Sequence, residues 1–348
     1  MKSLKEISLP ITEAEYRADG AMHYSTLASF KRGGFHCLDT LFDRKETTSL
    51  LFGSIVDTLM TDGQEAFDSQ YFVSELPEIS DQIANVVKGL FGIYKETCAS
   101  LDKVPDAAIL GALDAIDYGK SWYANTRIKK VREPGTAYYE QMYLAGDRIL
   151  ISNEMYADAC NCVDALRTSQ ATAQLFAPNN PFESDIERCY QLKFSNTFEG
   201  IRYSCMADLI YVDHKKKIVI PCDLKTSSHY EWDFPKSFID WCYFIQSQLY
   251  WEIIHQNLMK DDYFKNYKLM NYRFIVVNRK TKTPLVWEFE DTKAITDLTY
   301  GDITLRNWRS IVKELDNYLK NTPKVPQGID LYNANSIKQY FNNINNGN

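Results

Sequence analysis

Residues 201–225 read IRYSCMADLIYVDHKKKIVIPCDLK. Ile201 to Val212 and Ile218 to Leu224 are rich in β-branched, aromatic and aliphatic residues, and Asp213-His214-Lys215-Lys216-Lys217 between them reads as a turn. Upstream, Ile186 to Phe194 is another strand pattern, followed by the turn Ser195-Asn196-Thr197-Phe198-Glu199-Gly200. The three runs predict a β-meander. Antiparallel pairing about a turn fixes which residues face each other. A first turn centred near 197–198 sets Glu187 opposite Asp208, and a second near 215–216 sets Asp208 opposite Asp223. Directly opposed residues have Cβ atoms about 4.5–5.5 Å apart. Three carboxylates are therefore expected side by side across three strands, with Glu183 competing with Glu187 for the outer place. Like charges so placed repel, and a fold that keeps them needs a cation there. Oxygen-only ligands suit Mg²⁺ or Mn²⁺. Lys225, two residues beyond Asp223, points to the same face of its strand.

Outward from this stretch, the chain changes character near residue 180. After it, a helix is predicted over about 235–256, with Tyr243, Gln246 and Tyr250 on one face. Strands follow at Asn271 to Val277 and Pro284 to Glu290, then a helix at about 303–320. Before residue 180, helical patterns dominate: 25–42, interrupted at Gly33-Gly34, then 48–60, 82–98, 106–117, 134–145 and 151–167. The domain expectation is a mainly helical portion over 1–180, a mixed core over 181–325 and a tail over 326–348.

The chain has 348 residues, 45% hydrophobic and 24% charged, the balance of a globular protein rather than a disordered one. Its strongly apolar stretches are short and carry charges, as Asp240 does in Phe238 to Ile245, so no membrane-spanning helix is expected. The start, MKSLKEISLP, lacks an apolar signal core. Eight cysteines without a CxxC pair then read as free thiols in a reducing cytoplasm. The formal net charge of −7 argues against non-specific coating of nucleic acid. Any such contact must come from a local basic groove or through a metal ion. Lys215 to Lys217, Lys129, Lys130, Arg132, Lys31 and Arg32 read first as solvated charge. Gly119-Lys120-Ser121 echoes a phosphate loop but has Asp114 where the first glycine belongs.

Asp208, then Asp223-Leu224-Lys225, then Gln246-xxx-Tyr250 resembles the PD-(D/E)XK nuclease superfamily, and more narrowly its RecB-like and phage RecE-like exonucleases. An upstream G-xxx-H in that family is similar to Leu51-Phe52-Gly53-Ser54-Ile55-Val56-Asp57, with Asp57 in the place of histidine. The resemblance spans about residues 22–62 and 183–255. It implies an α/β (α+β) restriction-endonuclease-like core, a mixed central sheet flanked by helices, to which 22–62 contributes. It implies a Mg²⁺-dependent DNA exonuclease, with Mn²⁺ as the other candidate metal, used by phages for recombination or end processing. Asp208, Asp223 and the Leu224 carbonyl would hold the metal, with Glu187 and Asp57 extending the shell. Lys225 would position the attacking water, and Gln246 and Tyr250 would orient substrate or Lys225. The implied partners are DNA and a single-strand annealing protein, with a homo-oligomeric ring that makes only its lumen basic. Iron–sulfur relatives place three cysteines after the Q-xxx-Y helix; none follows Cys242 here, so no cluster is expected. The competing readings are a DNA-binding or scaffold module on a nuclease fold, and a sequence- or structure-specific endonuclease.

Overall fold

The computed structural model describes residues 1–41, 47–180 and 185–321. Glu183 and the tail over 326–348 lie outside them. The chain forms two compact units: Met1–Thr47 with Leu166–Asn348, and Thr48–Ala165. The helical portion expected over 1–180 is thus divided. Its first stretch belongs with the sheet, and residues 51–57 belong to the other unit.

The Thr48–Ala165 unit is built from α3 to α8, numbered after α1 (Glu13–Ala18) and α2 (Tyr24–Gly33). These are α3 (Thr48–Thr61), α4 (Gly63–Gln70), α5 (Asp81–Tyr94), α6 (Asp106–Ala115), α7 (Ala124–Ala145) and α8 (Asn153–Thr168). Two short strands, β1 (Tyr71–Ser74) and β2 (Ile149–Ser152), pair in parallel and were not expected. Val87, Leu90, Leu101, Val131 and Tyr139 are buried together in its core. Gly135 permits the close approach of α7: a Cβ there would come 2.8 Å from Val87 Cγ2 and 3.0 Å from Leu101 Cδ2.

The other unit continues with α9 (Ala173–Phe176), β3 (Ile186–Phe198), β4 (Ile201–Asp213), β5 (Ile218–Ser227), α10 (Phe234–Asp240) and α11 (Tyr243–Lys260). It then adds β6 (Lys268–Leu269), β7 (Arg273–Asn278), β8 (Pro284–Glu288), β9 (Leu298–Tyr300), β10 (Ile303–Leu305) and α12 (Trp308–Asn321). The sheet order is β3-β4-β5-β7-β8, with β6 also on β5 and β9–β10 a separate hairpin. The meander is antiparallel, β5 and β7 are parallel, and β7 and β8 are antiparallel. A parallel neighbour requires a crossover, and α10 and α11 supply it. The architecture is therefore mixed α/β. The single helix expected over 235–256 is two, because Cys242 takes a left-handed φ of +59° between them.

The β3–β4 turn corrects the predicted register. Phe198 pairs with Ile201, so the loop is the two residues Glu199 and Gly200, with φ of +48° and +80°. Two positive φ values make the primed turn whose twist matches that of paired strands. The centre therefore lies two residues beyond the expected one, and Glu187 pairs with Val212, not with Asp208. Asp208 falls instead across from Gln191, between the pairs Tyr190–Leu209 and Leu192–Ala207. The β4–β5 turn is centred where the sequence put it, since Asp213 pairs with Ile218.

The inner face of the sheet carries Cys189, Phe194, Cys205, Ile210, Val212 and Val219. Phe244, Ile245, Leu249, Ile253 and Ile254 of α11 are buried in the same cluster. Such side chains contribute roughly 1.5–3 kcal/mol each on full burial. Among the described residues no helix is long and apolar enough to cross a membrane.

Candidate active site

The β4–β5 ladder ends at Leu209–Cys222. The next residues on the two strands are Asp208 and Asp223, and there the strands part. β5 goes on pairing with β7 through Asp223, Leu224 and Lys225. On its other edge, the Leu224 N–H donates to Asp208 Oδ2 at 2.8 Å. A side-chain carboxylate thus takes the hydrogen bond that a partner strand would have accepted. Buried or half-buried backbone donors need such a partner, so the fork in the sheet and the position of Asp208 are linked.

Asp223 is 2% exposed and makes two contacts with the groups expected beside it. Gln246 Nε2 donates to Asp223 Oδ1, and Lys225 Nζ pairs with Asp223 Oδ2. Gln246 is itself buried, and its Oε1 has no hydrogen-bond partner among the described residues. Lys225 Nζ also lies 5.0 Å from the centre of the Tyr243 ring, a distance for cation–π attraction. Burial works to lower the Lys225 pKa. The nearby charges of Asp223 and Asp208 more than offset it, and the net shift is upward. Lys225 is therefore an ammonium at neutral pH, able to donate hydrogen bonds and unsuited to act as a general base.

Tyr250 is buried, edge-on to Tyr24 at 6.5 Å and to Tyr272 at 6.2 Å. Burial pushes its hydroxyl pKa well up, with the charges of Asp223 and Asp208 acting in the same direction. Burial also raises the Tyr16 hydroxyl, against which hydrogen bonds from Ser204 and Tyr250 act. Tyr16 Oη is 3.1 Å from His23 Nδ1, and Ser204 Oγ is 3.2 Å from the same nitrogen. Tyr250 thus stands in a polar cluster with Tyr16, Ser204 and His23, closed outward by Asp19, 3.5 Å from His23 Nε2. No spacing rule points from Tyr16 or His23 to this place; only the folded chain brings them there. Tyr272 has the same character, a fully buried ring whose hydroxyl has no hydrogen-bond partner among the described residues.

Glu187 stands apart from this group on its own strand. Glu187 is four residues along β3 from Gln191, about 13 Å at strand rise. It holds the chain start instead: Ser3 Oγ donates to Oε1, and the Leu4 N–H donates to Oε2 at 3.1 Å. His214 Nε2 lies 3.3 Å from the same Oε2. Burial would raise the Glu187 pKa, but the hydrogen bonds from Ser3, Leu4, Cys189 and His214 outweigh it and the pKa falls. Asp57 is half-buried on α3, in the Thr48–Ala165 unit. Among the described residues no three His, Cys, Asp or Glu side chains converge to hold a metal ion. The group brought together is Asp208, Asp223, Lys225 and Gln246, with Tyr243 and Tyr250 beside it.

No protein-family model matches the chain, and no curated protein is similar to it. Among solved structures, a crystal structure described as "Putative exonuclease" from Eubacterium rectale is similar over 81% of this chain and 79% of that one, at 15% identity and a TM-score of 0.41. A likeness of that degree carries no argument about fold or function.

Proposed function

We propose that the chain is a metal-dependent nuclease with a PD-(D/E)XK core, hydrolysing phosphodiester bonds of DNA, and an exonuclease rather than an endonuclease. The observation that carries this reading is the fork at Asp208 and Asp223, where two carboxylates, an ammonium and a buried amide meet at the end of a ladder. Mg²⁺ is commonly bound through one or two carboxylates, with waters and substrate phosphate oxygens completing an octahedron. The donor set here fits that habit: Asp208, Asp223 and the Leu224 carbonyl are all hard oxygens. When bound, such an ion polarises the phosphoryl oxygens and lowers the pKa of a bound water.

The chain's own groups then have separable roles. Asp223 would hold the cation, and the Gln246 amide keeps its carboxylate in one orientation. Lys225 donates to the attacking water or to a phosphate oxygen, placing a fixed positive charge where negative charge develops. Tyr243 lies against that ammonium and limits where it can swing. Asp57 and Glu187 are not needed for this scheme. The ring, the single-strand annealing partner and the role in phage recombination are further proposals of the same reading.

The deciding assay compares an end-labelled linear duplex with a closed circle, in Mg²⁺, Mn²⁺ or chelator. Release of nucleotides from the linear form alone, dependent on metal, is expected. Cleavage of the circle would make it an endonuclease, and no cleavage of either with any metal would overturn the reading.

A further inference from the structure

Two residues beyond Lys225, β5 ends at Ser227 and the chain enters a loop that displays two large aromatic rings. Tyr230 and Trp232 stack face to face, centroids 4.6 Å apart and planes 10° from parallel. They remain 50% and 70% exposed. Apolar area left in water is unfavourable, so a flat, doubled aromatic surface on the loop that follows the Lys225 strand suggests an interaction site.

The platform is also braced. The Arg279 N–H donates to the Ser227 carbonyl at 2.7 Å. Asn278, 2% exposed, donates through Nδ2 to the His229 carbonyl at 2.5 Å. Asn278 Oδ1 accepts the N–H groups of Lys280 and Thr281 at 2.7 and 3.1 Å. Thr281 Oγ1 donates to Glu231 Oε1. The aromatic loop and the β7–β8 turn are thereby one hydrogen-bonded body, and the turn carries Arg279, Lys280 and Lys282. In a chain of net charge −7, three cations in four residues are a local inversion of sign. Of the acids in the aromatic loop, Glu231 is bound to Thr281, and Asp233 sits at the start of α10.

We propose that the Tyr230–Trp232 stack is a landing platform for an unpaired DNA strand, with a base on the exposed face of Trp232 and the following phosphates on the Arg279–Lys282 turn. It rests on the nuclease reading for the choice of DNA as occupant. Only unpaired or terminal bases offer a free π-face, since those inside a duplex are covered by their neighbours. Each base–aromatic stack typically weakens binding severalfold to about a hundredfold when lost. β5 ends about 7 Å along the strand from Lys225, taking the rise of two residues, and the platform is carried by the loop that follows, at Tyr230 and Trp232.

The test is fluorescence anisotropy of labelled oligo(dT) and of a blunt duplex with the full chain, in chelator so that nothing is cleaved. Trp232→Ala should weaken oligo(dT) binding at least fivefold while leaving the duplex affinity within twofold. Trp232→Phe, which keeps a π-face, should restore most of the loss. Lys280→Glu should weaken binding and flatten its salt dependence. Circular dichroism of each variant checks that the fold is retained, as a surface substitution should allow. Oligo(dT) affinity unchanged in Trp232→Ala overturns the platform, as does a wild-type chain that binds no oligo(dT), including the case in which the rings serve a protein partner. Metal-dependent cleavage by wild type alongside that result leaves the nuclease reading standing. Trp232-dependent binding without cleavage in any metal overturns only the nuclease reading.

Discussion

Asp208 Oδ2 accepts the backbone N–H of Leu224 at 2.8 Å, across the gap where β4 and β5 separate. One carboxylate therefore serves both the sheet and the proposed chemistry, and the two can be pulled apart. Asp208→Asn keeps an acceptor for Leu224 and should cost little stability while abolishing metal-dependent cleavage. Asp208→Ala leaves the N–H without that acceptor and should cost about 1–3 kcal/mol. Urea titrations of the two variants check this; equal stabilities would mean the hydrogen bond does not hold the fork.

Lys225 gives a pH dependence with a definite sign. Its folded pKa is raised, so the stability it contributes is fully present below the unfolded value, about 10.4, and lost as pH rises through the folded one. The difference in melting temperature between wild type and Lys225→Met should be constant through neutral pH. It should drift toward Lys225→Met only in strong alkali. A drift between pH 6 and 9 would contradict the ammonium assignment.

Glu187 has the opposite sign. Its folded pKa is lowered, so its contribution is present above the unfolded value of about 4.3 and is lost as pH falls through the folded one. Glu187→Gln should flatten the acid limb of the stability profile. Glu187→Ala should cost about 1–3 kcal/mol and release the first residues to proteolysis, while cleavage per folded molecule stays near wild type. Loss of cleavage with the fold intact would return Glu187 to the site.

Glu199 occupies a left-handed position, φ +48°, in the two-residue turn. Asparagine adopts that conformation more readily. Glu199→Asn should raise stability by up to about 1 kcal/mol, part of the left-handed cost that asparagine relieves. The change also removes the exposed ion pair with Lys313, 3.2 Å, a kind of contact typically worth about 0–1 kcal/mol. Calorimetry decides whether the turn or the pair dominates.

The meander, the β4–β5 register and the Gln246–Tyr250 face were legible because they depend on local alternation and on residues close in sequence. Gln246 does reach Asp223, across twenty-three positions. The outer register was not legible, because Ser195 to Gly200 offers several turn centres and only paired strands choose between them. Glu199 gives little sign of a positive φ, so the tighter loop was passed over. The helix expected over 134–145 begins ten residues earlier. A proline is most at home in a first helical turn, whereas α7 starts at Ala124 and carries it inside. The division at Thr48 follows from which apolar faces pack together, something no window of sequence contains.

The closure of β3 on β4 by two residues also makes chain length a functional variable. A tight hairpin has no slack to absorb an added or missing residue. One extra residue between Gly200 and Asp208 would leave Asp208 in its β4–β5 register but turn over the residues that precede it, so that β3 slips by one position or β4 bulges beside the carboxylate. The eight positions from Gly200 to Asp208 cover about 26 Å at strand rise. A lesion at the hairpin tip would thereby misplace the apolar faces that flank the fork, while composition and charge remained as before. In variants of this chain, insertions and deletions in that arm should prove far less tolerated than substitutions at the same places.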